Sequence, residues 1–177
     1  DKTVYEALAA GKRDRITETA AMILASFIEK PFFSAPERES DPETITWISF
    51  AGDIMPGRGV ERILQEEDGV EKIFGDTLAT LQKSDYLIGN LEGAVTEEKG
   101  KVEKSYNFKF PYHVLPRLRD AGFDYLSITN NHSFDYGEKG FLDTLSNLEK
   151  AGIATSGAGK NSAEAALPRT VTINSTG

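Results

Sequence analysis

Three stretches of the chain are either continuously apolar or alternate between apolar and polar residues. Each one is followed by a cluster of polar residues. They cover residues 45–51, 86–89 and 125–129. Alternation of this kind, rich in Ile, Tyr, Phe and Trp, predicts β-strands. Between successive predicted strands the chain is long enough for a crossover connection. Two parallel strands and their crossover form a βαβ unit, which needs roughly 30 residues or more. The pattern therefore predicts successive parallel strands in an α/β domain.

Helical patterns fill the intervals between these strands. Residues 138–150 form an amphipathic pattern after the third strand, and Pro116 suits the first turn of a short helix that ends at Gly122. The charged stretch 96–104 predicts a loop that forms a hairpin or a lid, and 170–174 predicts a further strand. One helical stripe precedes the second strand and consists of Val70, Ile73, Phe74, Leu78 and Leu81.

The chain divides by pattern into three parts. Residues 1–30 are helical in character, residues 31–43 contain three prolines and are typical of a linker, and the α/β domain occupies 44–177. The most apolar N-terminal run, 20–28, is far shorter than the ~20 residues that a membrane span needs. It lies within an amphipathic pattern, which favours a packed helix.

Polar side chains follow each of the three predicted strands. Asp53, Glu92 and Asn131 are the chief candidates, and the interval from the first to the second equals that from the second to the third. Because the carboxyl ends of parallel strands meet at one edge of a sheet, we expect the three side chains to share a site. Locally, each also has a simpler interpretation as a turn residue or a solvated loop acid.

The third strand exit, residues 130–137, contains the most side chains of types that bind metals or transfer protons. It contains two asparagines, His132, Asp135 and a closing glycine. Amide, imidazole and carboxylate groups serve as metal ligands and in proton transfer. The alternative interpretation is a polar turn that caps the following helix, with a structural histidine. His113 lies outside these motifs, and we expect it to be structural.

These motifs resemble those of the CapA/PgsA-type capsule (poly-γ-glutamate) synthesis proteins, a family with the calcineurin-like metallophosphoesterase fold. The matching segments are 52–55 with Arg58, 89–92, and 130–137. The resemblance covers 45–177 and implies a layered α/β metallophosphoesterase-like sandwich preceded by the helical segment. Chains of that family run further and supply later histidines. We therefore expect this chain to hold the N-terminal portion of the domain.

The resemblance implies a metal centre. Its ligands here are expected to be Asp53, Glu92 and Asn131, with Glu92 as the bridging carboxylate. Two divalent ions are expected in the complete protein, chosen among Mn, Zn, Fe and Mg. Such a pair of ions activates water and neutralises oxygens during an in-line displacement.

The resemblance also implies catalytic and substrate-binding residues. His132 is placed to stabilise charge on a transferring phosphoryl group, and Asp135 to orient it. Arg58 is expected to bind an anionic group of the substrate, with Asn90 beside it. For Arg58, pairing with one of the many surface acids remains the alternative.

Three functions stay open. The first is capsule or poly-γ-glutamate biosynthesis with a metallophosphoesterase-like site that hydrolyses a phosphoester. The second is a non-catalytic assembly or polymer-binding subunit of the capsule machinery. The third is a general metal-dependent phosphodiesterase, which is weakened by Met55 where classical phosphoesterases place histidine and by Glu92 where they place aspartate.

Charge and composition narrow the partners. The net charge of −8 argues against nucleic acid, which needs a basic surface. The absence of cysteine excludes disulfides and thiol catalysis. We expect an anionic polymer or phosphoester substrate, and either the remaining C-terminal part of the domain or self-association. The resemblance implies an extracytoplasmic place at a bacterial cell surface, with a membrane anchor upstream of residue 1 in the full-length protein.

Overall fold

The computed structural model of the chain describes residues 45–173. Its central element is a parallel three-stranded sheet in the order β1–β2–β5, with strands β1 (Ile48–Ile54), β2 (Tyr86–Leu91) and β5 (Phe123–Ser127). A parallel bridge between Tyr125 and Ala154 extends the sheet beyond β5. The α/β class with parallel strands is confirmed. The predicted helical segment 1–30 and linker 31–43 lie outside the described residues.

Short helices connect the strands. Between β1 and β2 the chain forms α1 (Val60–Ile63), α2 (Gly69–Phe74), a 3₁₀ turn (Gly75–Thr77) and α3 (Leu78–Leu81). The predicted apolar stripe at 70–81 is thus helical but interrupted. Gly75 has φ 51°, a left-handed backbone angle that ends α2.

Beyond β2, two very short strands, β3 (Ala94–Val95) and β4 (Lys109–Phe110), form a separate parallel pair. Two helices flank β5, namely α4 (Val114–Asp120) before it and α5 (Gly137–Lys150) after it. Both confirm the sequence prediction. A last short helix, α6 (Ser162–Ala165), is capped by the Asn161 side chain, which accepts a hydrogen bond from the Glu164 amide at 2.9 Å.

One face of the sheet builds the hydrophobic core. Leu87 and Leu91 of β2 point into it and are fully buried, as are Phe123 and Leu126 of β5. These side chains pack with the inner faces of α4 and α5 in one continuous cluster. The buried residues that the helices contribute are Val114, Leu115, Leu118, Phe141 and Leu148.

The opposite face of the sheet is open in the described part of the chain. Ile48 is 50% exposed and Phe50 is 76% exposed on edge strand β1. Their register partners on β2 are Tyr86 and Ile88, which are only half-buried. The sheet therefore has a packed face beneath α4 and α5 and a second, largely apolar face that solvent reaches.

Two sequence predictions need correction. The first strand was expected to end at residue 51, but β1 continues to Ile54, so Asp53 lies within the strand. The pairing of β1 with β2 shifts register between Phe50 and Asp53 and then continues to the end of β1. The strand predicted at 170–174 is wrong over its described residues, since 170–173 form neither helix nor strand. Strand propensity is realised only where a pairing partner is present.

The core predicts a large difference between two leucines. Leu126→Ala should lower the free energy of unfolding by about 2–5 kcal/mol, because it opens a cavity between the sheet and α5. Leu167→Ala is the matched control, since Leu167 is 64% exposed and its loss should cost at most ~0.5 kcal/mol. Urea unfolding of the two variants measures both values. Equal effects would contradict the placement of the core.

Candidate functional site

A row of hydrogen-bonded polar side chains runs across the carboxyl edge of the sheet. Asn90 on β2 donates to Asp53 Oδ1 on β1 at 2.7 Å. Asn130, just beyond β5, donates to Asn90 Oδ1 at 3.0 Å and to the Leu91 carbonyl at 2.9 Å. The three strand exits are therefore joined by direct bonds. Asn130 makes the link from the third exit, next to the predicted metal ligand Asn131.

Asn130 also shapes the loop that carries the histidine. Its Oδ1 accepts a hydrogen bond from the main-chain amide of His132 at 2.9 Å. The main-chain amide of Asn130 donates to Ser133 Oγ at 3.0 Å. An asparagine that bonds the backbone two residues on is an Asx turn, which fixes the loop locally. One side chain thus ties the loop to β2 and sets its conformation.

His132 is buried between an acid on either side. Its Nδ1 lies 2.8 Å from Asp135 Oδ2, and its Nε2 lies 3.7 Å from Glu92 Oε1. The residue is 7% exposed, and its ring stacks on Phe108 with ring centroids 4.1 Å apart. An N–H at Nδ1 donates to Asp135, which directs Nε2 toward Glu92. The catalytic role expected for His132, with Asp135 orienting it, stays a prediction.

Asp135 is fully buried, with an ion pair at one carboxylate oxygen and hydrogen bonds at the other. Lys104 forms an ion pair with Oδ1, and the Phe108 amide donates to Oδ2 at 2.6 Å. Burial by itself raises the pKa of this carboxyl, but the bonds from Lys104, His132 and Phe108 outweigh it and hold the pKa below its usual range. Asp135 is therefore a stabilised carboxylate at neutral pH.

Glu92 owes its position to the turn after β2. Its amide donates to the Ile54 carbonyl at 3.0 Å, which holds the turn against β1. Gly93 follows with φ 154°, and a Cβ there would lie 2.7 Å from the Phe110 ring. Only glycine allows this close approach. Glu92 is half-buried as a result, with its carboxylate directed at His132.

A cleft of about 520 Å³ opens over these residues. Glu92, Asn131 and His132 form one wall, and residues 104–106 with Phe108 form another. Asp53 and Asn90 do not line this cleft, although the hydrogen-bonded row places them beside it. The structure therefore brings most of the expected site together on the same edge of the sheet.

Arg58 lies at the rim of the cleft. Its guanidinium carbon is 5.4 Å from the centre of the Phe108 ring and 5.9 Å from that of Tyr106. Its φ of 55° is in the left-handed region, which is uncommon for a residue other than glycine. Of the ion pairs formed within residues 45–173, none involves Arg58.

His113 lies apart from the site. Its Nε2 bonds the Glu61 carbonyl at 2.8 Å, and its Nδ1 lies 3.3 Å from Gln65 Nε2. It joins α1 to the start of α4, in agreement with the expected structural role. Lys104, Tyr106 and Phe108 were not among the predicted site residues, since the charged stretch 96–104 predicted a hairpin or lid without assigning it any site residue.

The donor types at this edge suit a hard divalent cation. Asp53 and Glu92 offer carboxylates, and Asn131 offers a neutral amide oxygen from an exposed position. Across residues 45–173, however, no three His, Cys, Asp or Glu side chains converge closely enough to hold a metal ion. The assignment of the three metal ligands stays a prediction.

Comparison with known proteins places the chain in a family. The family described as "Bacterial capsule synthesis protein PGA_cap" matches residues 47–177. The "Capsule biosynthesis protein CapA" of Bacillus anthracis is 32% identical over 144 residues, which cover 79% of this chain and 34% of that relative. The chain belongs to the PGA_cap family of bacterial capsule synthesis proteins.

Two further relatives agree. The "PGA biosynthesis protein CapA" of Bacillus subtilis is 33% identical over 132 residues, covering 73% of this chain and 34% of the relative. A "Probable polyglutamine synthesis accessory protein" of Mycobacterium tuberculosis is 25% identical over 166 residues, covering 75% and 43%. The matched region thus spans about a third of the Bacillus relatives. No helix among residues 45–173 has the length and apolar character needed to cross a membrane.

The buried carboxylate predicts a pH-dependent effect. Asp135→Asn should lower the free energy of unfolding by about 3 kcal/mol at pH 7, because Lys104 loses its charged partner. The folded pKa of Asp135 is depressed, so this contribution is complete above the unfolded value and is lost as pH falls through the folded one. Urea unfolding at pH 7 and pH 3 should show the gap between wild type and variant shrinking. A gap independent of pH, or one equal to that of exposed Glu97→Gln, would contradict the assignment.

Proposed function

We propose that this chain contributes to capsule or poly-γ-glutamate biosynthesis through a metallophosphoesterase-like site that hydrolyses a phosphoester. The observation that carries the proposal is the hydrogen-bonded row of Asp53, Asn90 and Asn130 beside the His132–Asp135 pair. Three strand exits converge on one edge, where open α/β sheets bind their ligands. The family membership supplies the biological setting.

In this proposal Asp53, Glu92 and Asn131 are oxygen donors to divalent ions, and further donors come from outside residues 45–173. Bound divalent ions would activate water and offset the charge of phosphate oxygens. Carboxylate and amide oxygens are compatible with Mn²⁺ or Mg²⁺, and nitrogen donors would extend the choice to Zn²⁺ or Fe. The exposure of Asp53 and Asn131 supports the idea, since both can reach a ligand above the sheet edge.

His132 then acts on the substrate rather than on the metal. Its Nδ1 is held by Asp135, and its Nε2 faces the cleft next to Glu92. From this position an imidazole can stabilise charge that develops on a phosphoryl oxygen, or move a proton to a leaving group. Arg58 supplies a cation at the rim for an anionic polymer or phosphoester. Asn90, which lies in the bonded row, is proposed to support substrate binding from below.

The open sheet face supports the finer fold proposal. Parallel sheets are normally covered on both faces, yet Ile48 and Phe50 of β1 are exposed. We propose that the second layer of a metallophosphoesterase-like sandwich covers this face. Its source is the part of the Bacillus relatives that lies outside the matched third, or a second copy of the chain.

A non-catalytic role in capsule assembly is the second candidate. The Mycobacterium tuberculosis relative is named as a probable accessory protein. The rim of the cleft, with exposed Arg58 and a Tyr106 that is 65% exposed, offers the features of a polymer-binding surface. Either candidate places the protein in cell-surface biosynthesis, with a membrane anchor proposed for the full-length protein. A general phosphodiesterase is the least supported alternative.

Three substitutions separate these roles. Within a complete family domain, Asp53→Asn and Glu92→Gln should reduce bound metal at least tenfold, because they remove charged ligands. His132→Ala should retain the metal and lower turnover by about 10²–10⁴-fold. Elemental analysis of the purified variants and hydrolysis of a chromogenic phosphodiester give both values.

The exposed acid variant Glu67→Gln is the control and should change neither value. Equal metal loss in all three site variants would show that His132 is a ligand. A wild-type domain that neither binds metal nor hydrolyses the ester would support the accessory role instead.

A further inference from the structure

Residues 102–108, called here the bridging segment, are fastened to the site by a single residue. Through its carboxylate, Asp135 forms an ion pair with Lys104 and accepts a hydrogen bond from the Phe108 amide. Its main-chain carbonyl accepts from the Val102 amide at 2.9 Å and from Asn107 Nδ2 at 3.3 Å. Four donors of one short segment therefore converge on one buried residue.

Lys104 contacts a second residue of the His132 loop in addition to Asp135. Besides the ion pair with Asp135, its Nζ donates to the Asn131 carbonyl at 2.9 Å. The Lys104 side chain is 29% exposed, whereas that of Asp135 is 0% exposed. An ion pair with one buried member has little screening by solvent, so it constrains the segment more strongly than a surface pair does.

The segment so held supplies two aromatic surfaces. Phe108 stacks on His132, and Phe108 and Tyr106 together lie under the Arg58 guanidinium. A guanidinium over aromatic rings is attracted through its flat face, which leaves its N–H edge free. That edge matches the two oxygens of a carboxylate or a phosphate.

We propose that Lys104 is a positioning residue that latches the bridging segment to Asp135, so that Tyr106 and Phe108 hold Arg58 ready for an oxyanion. The inference rests on the proposed function, in which Arg58 binds an anionic group of the substrate. It adds a residue outside the three strand-exit motifs and assigns the oxyanion subsite to the rim of the cleft. The ligand chemistry is a carboxylate or phosphate group.

The latch is tested with Lys104→Met in the 177-residue chain. The side-chain Nε–H signal of Arg58 in the NMR spectrum reports its ring environment, and amide exchange reports order in 102–108. Lys104→Met should move the Arg58 signal toward its random-coil position and speed exchange of the Phe108 amide at least tenfold. Lys104→Arg, which can still reach Asp135, should restore both, and exposed Lys101→Met should change neither.

The oxyanion subsite is tested by titrating inorganic phosphate and, separately, oligo-γ-glutamate while following the same Arg58 signal. Lys104→Met should raise the Kd of the preferred anion about tenfold. Tyr106→Leu removes one of the two aromatic rings beneath Arg58, at an exposed position that does not contact Asp135. It should weaken anion binding and leave the exchange rate of the Phe108 amide unchanged. Which anion binds the wild type more tightly identifies phosphate or carboxylate as the ligand group.

The outcomes separate this inference from the proposed function. If the wild type binds an anion but Lys104→Met leaves the Arg58 signal, the exchange rates and the Kd unchanged, the latch is wrong and the proposed function stands. If neither anion perturbs Arg58 in the wild type, both the subsite and the substrate role of Arg58 are overturned. Failure of Lys104→Arg to restore the Arg58 signal would also overturn the latch.

Discussion

The site depends on one buried carboxylate. Asp135 has no solvent exposure, and its carboxylate forms an ion pair with Lys104 and hydrogen bonds with the Phe108 amide and His132. A buried charge without such partners would be very unfavourable, so the carboxylate forces cationic and N–H donors to gather around it. The His132 loop and the bridging segment meet because both supply those donors. The orientation of His132 and the shape of the cleft follow from this requirement.

The parallel sheet determines where that cluster sits. Register pairs Asp53 with Asn90, and Asn90 with Ser127, so the polar residues stand side by side at one edge. Asn90 and Asn130 then bond along this edge and leave the Asp53 carboxylate exposed above it. Amide side chains both donate and accept, which lets them link neighbouring strand exits without adding charge. The two asparagines are a neutral support beneath the acidic and basic groups of the cleft.

Much of this was predictable from the sequence, for identifiable reasons. The apolar alternation at β2 and β5 and the amphipathic pattern of α5 are strong local signals, and the structure agrees with them. The meeting of the three strand exits followed from the geometry of parallel strands. The roles of Asn130 and Lys104 did not, because they depend on bonds between residues 27 to 40 positions apart in the chain. The strand expected at 170–174 failed for a similar reason, since local propensity carries no information about a pairing partner.

Paramagnetic broadening by Mn²⁺ tests most directly whether the three strand exits form one site. In the ¹⁵N-labelled chain, substoichiometric Mn²⁺ should first broaden the amide signals near Asp53, Glu92 and the loop 130–135, all together and to a similar extent. The acidic run at 66–68 provides an internal comparison, because it offers exposed carboxylates on the surface between α1 and α2. Preferential broadening at 66–68, or broadening at only one of the three exits, would contradict the account.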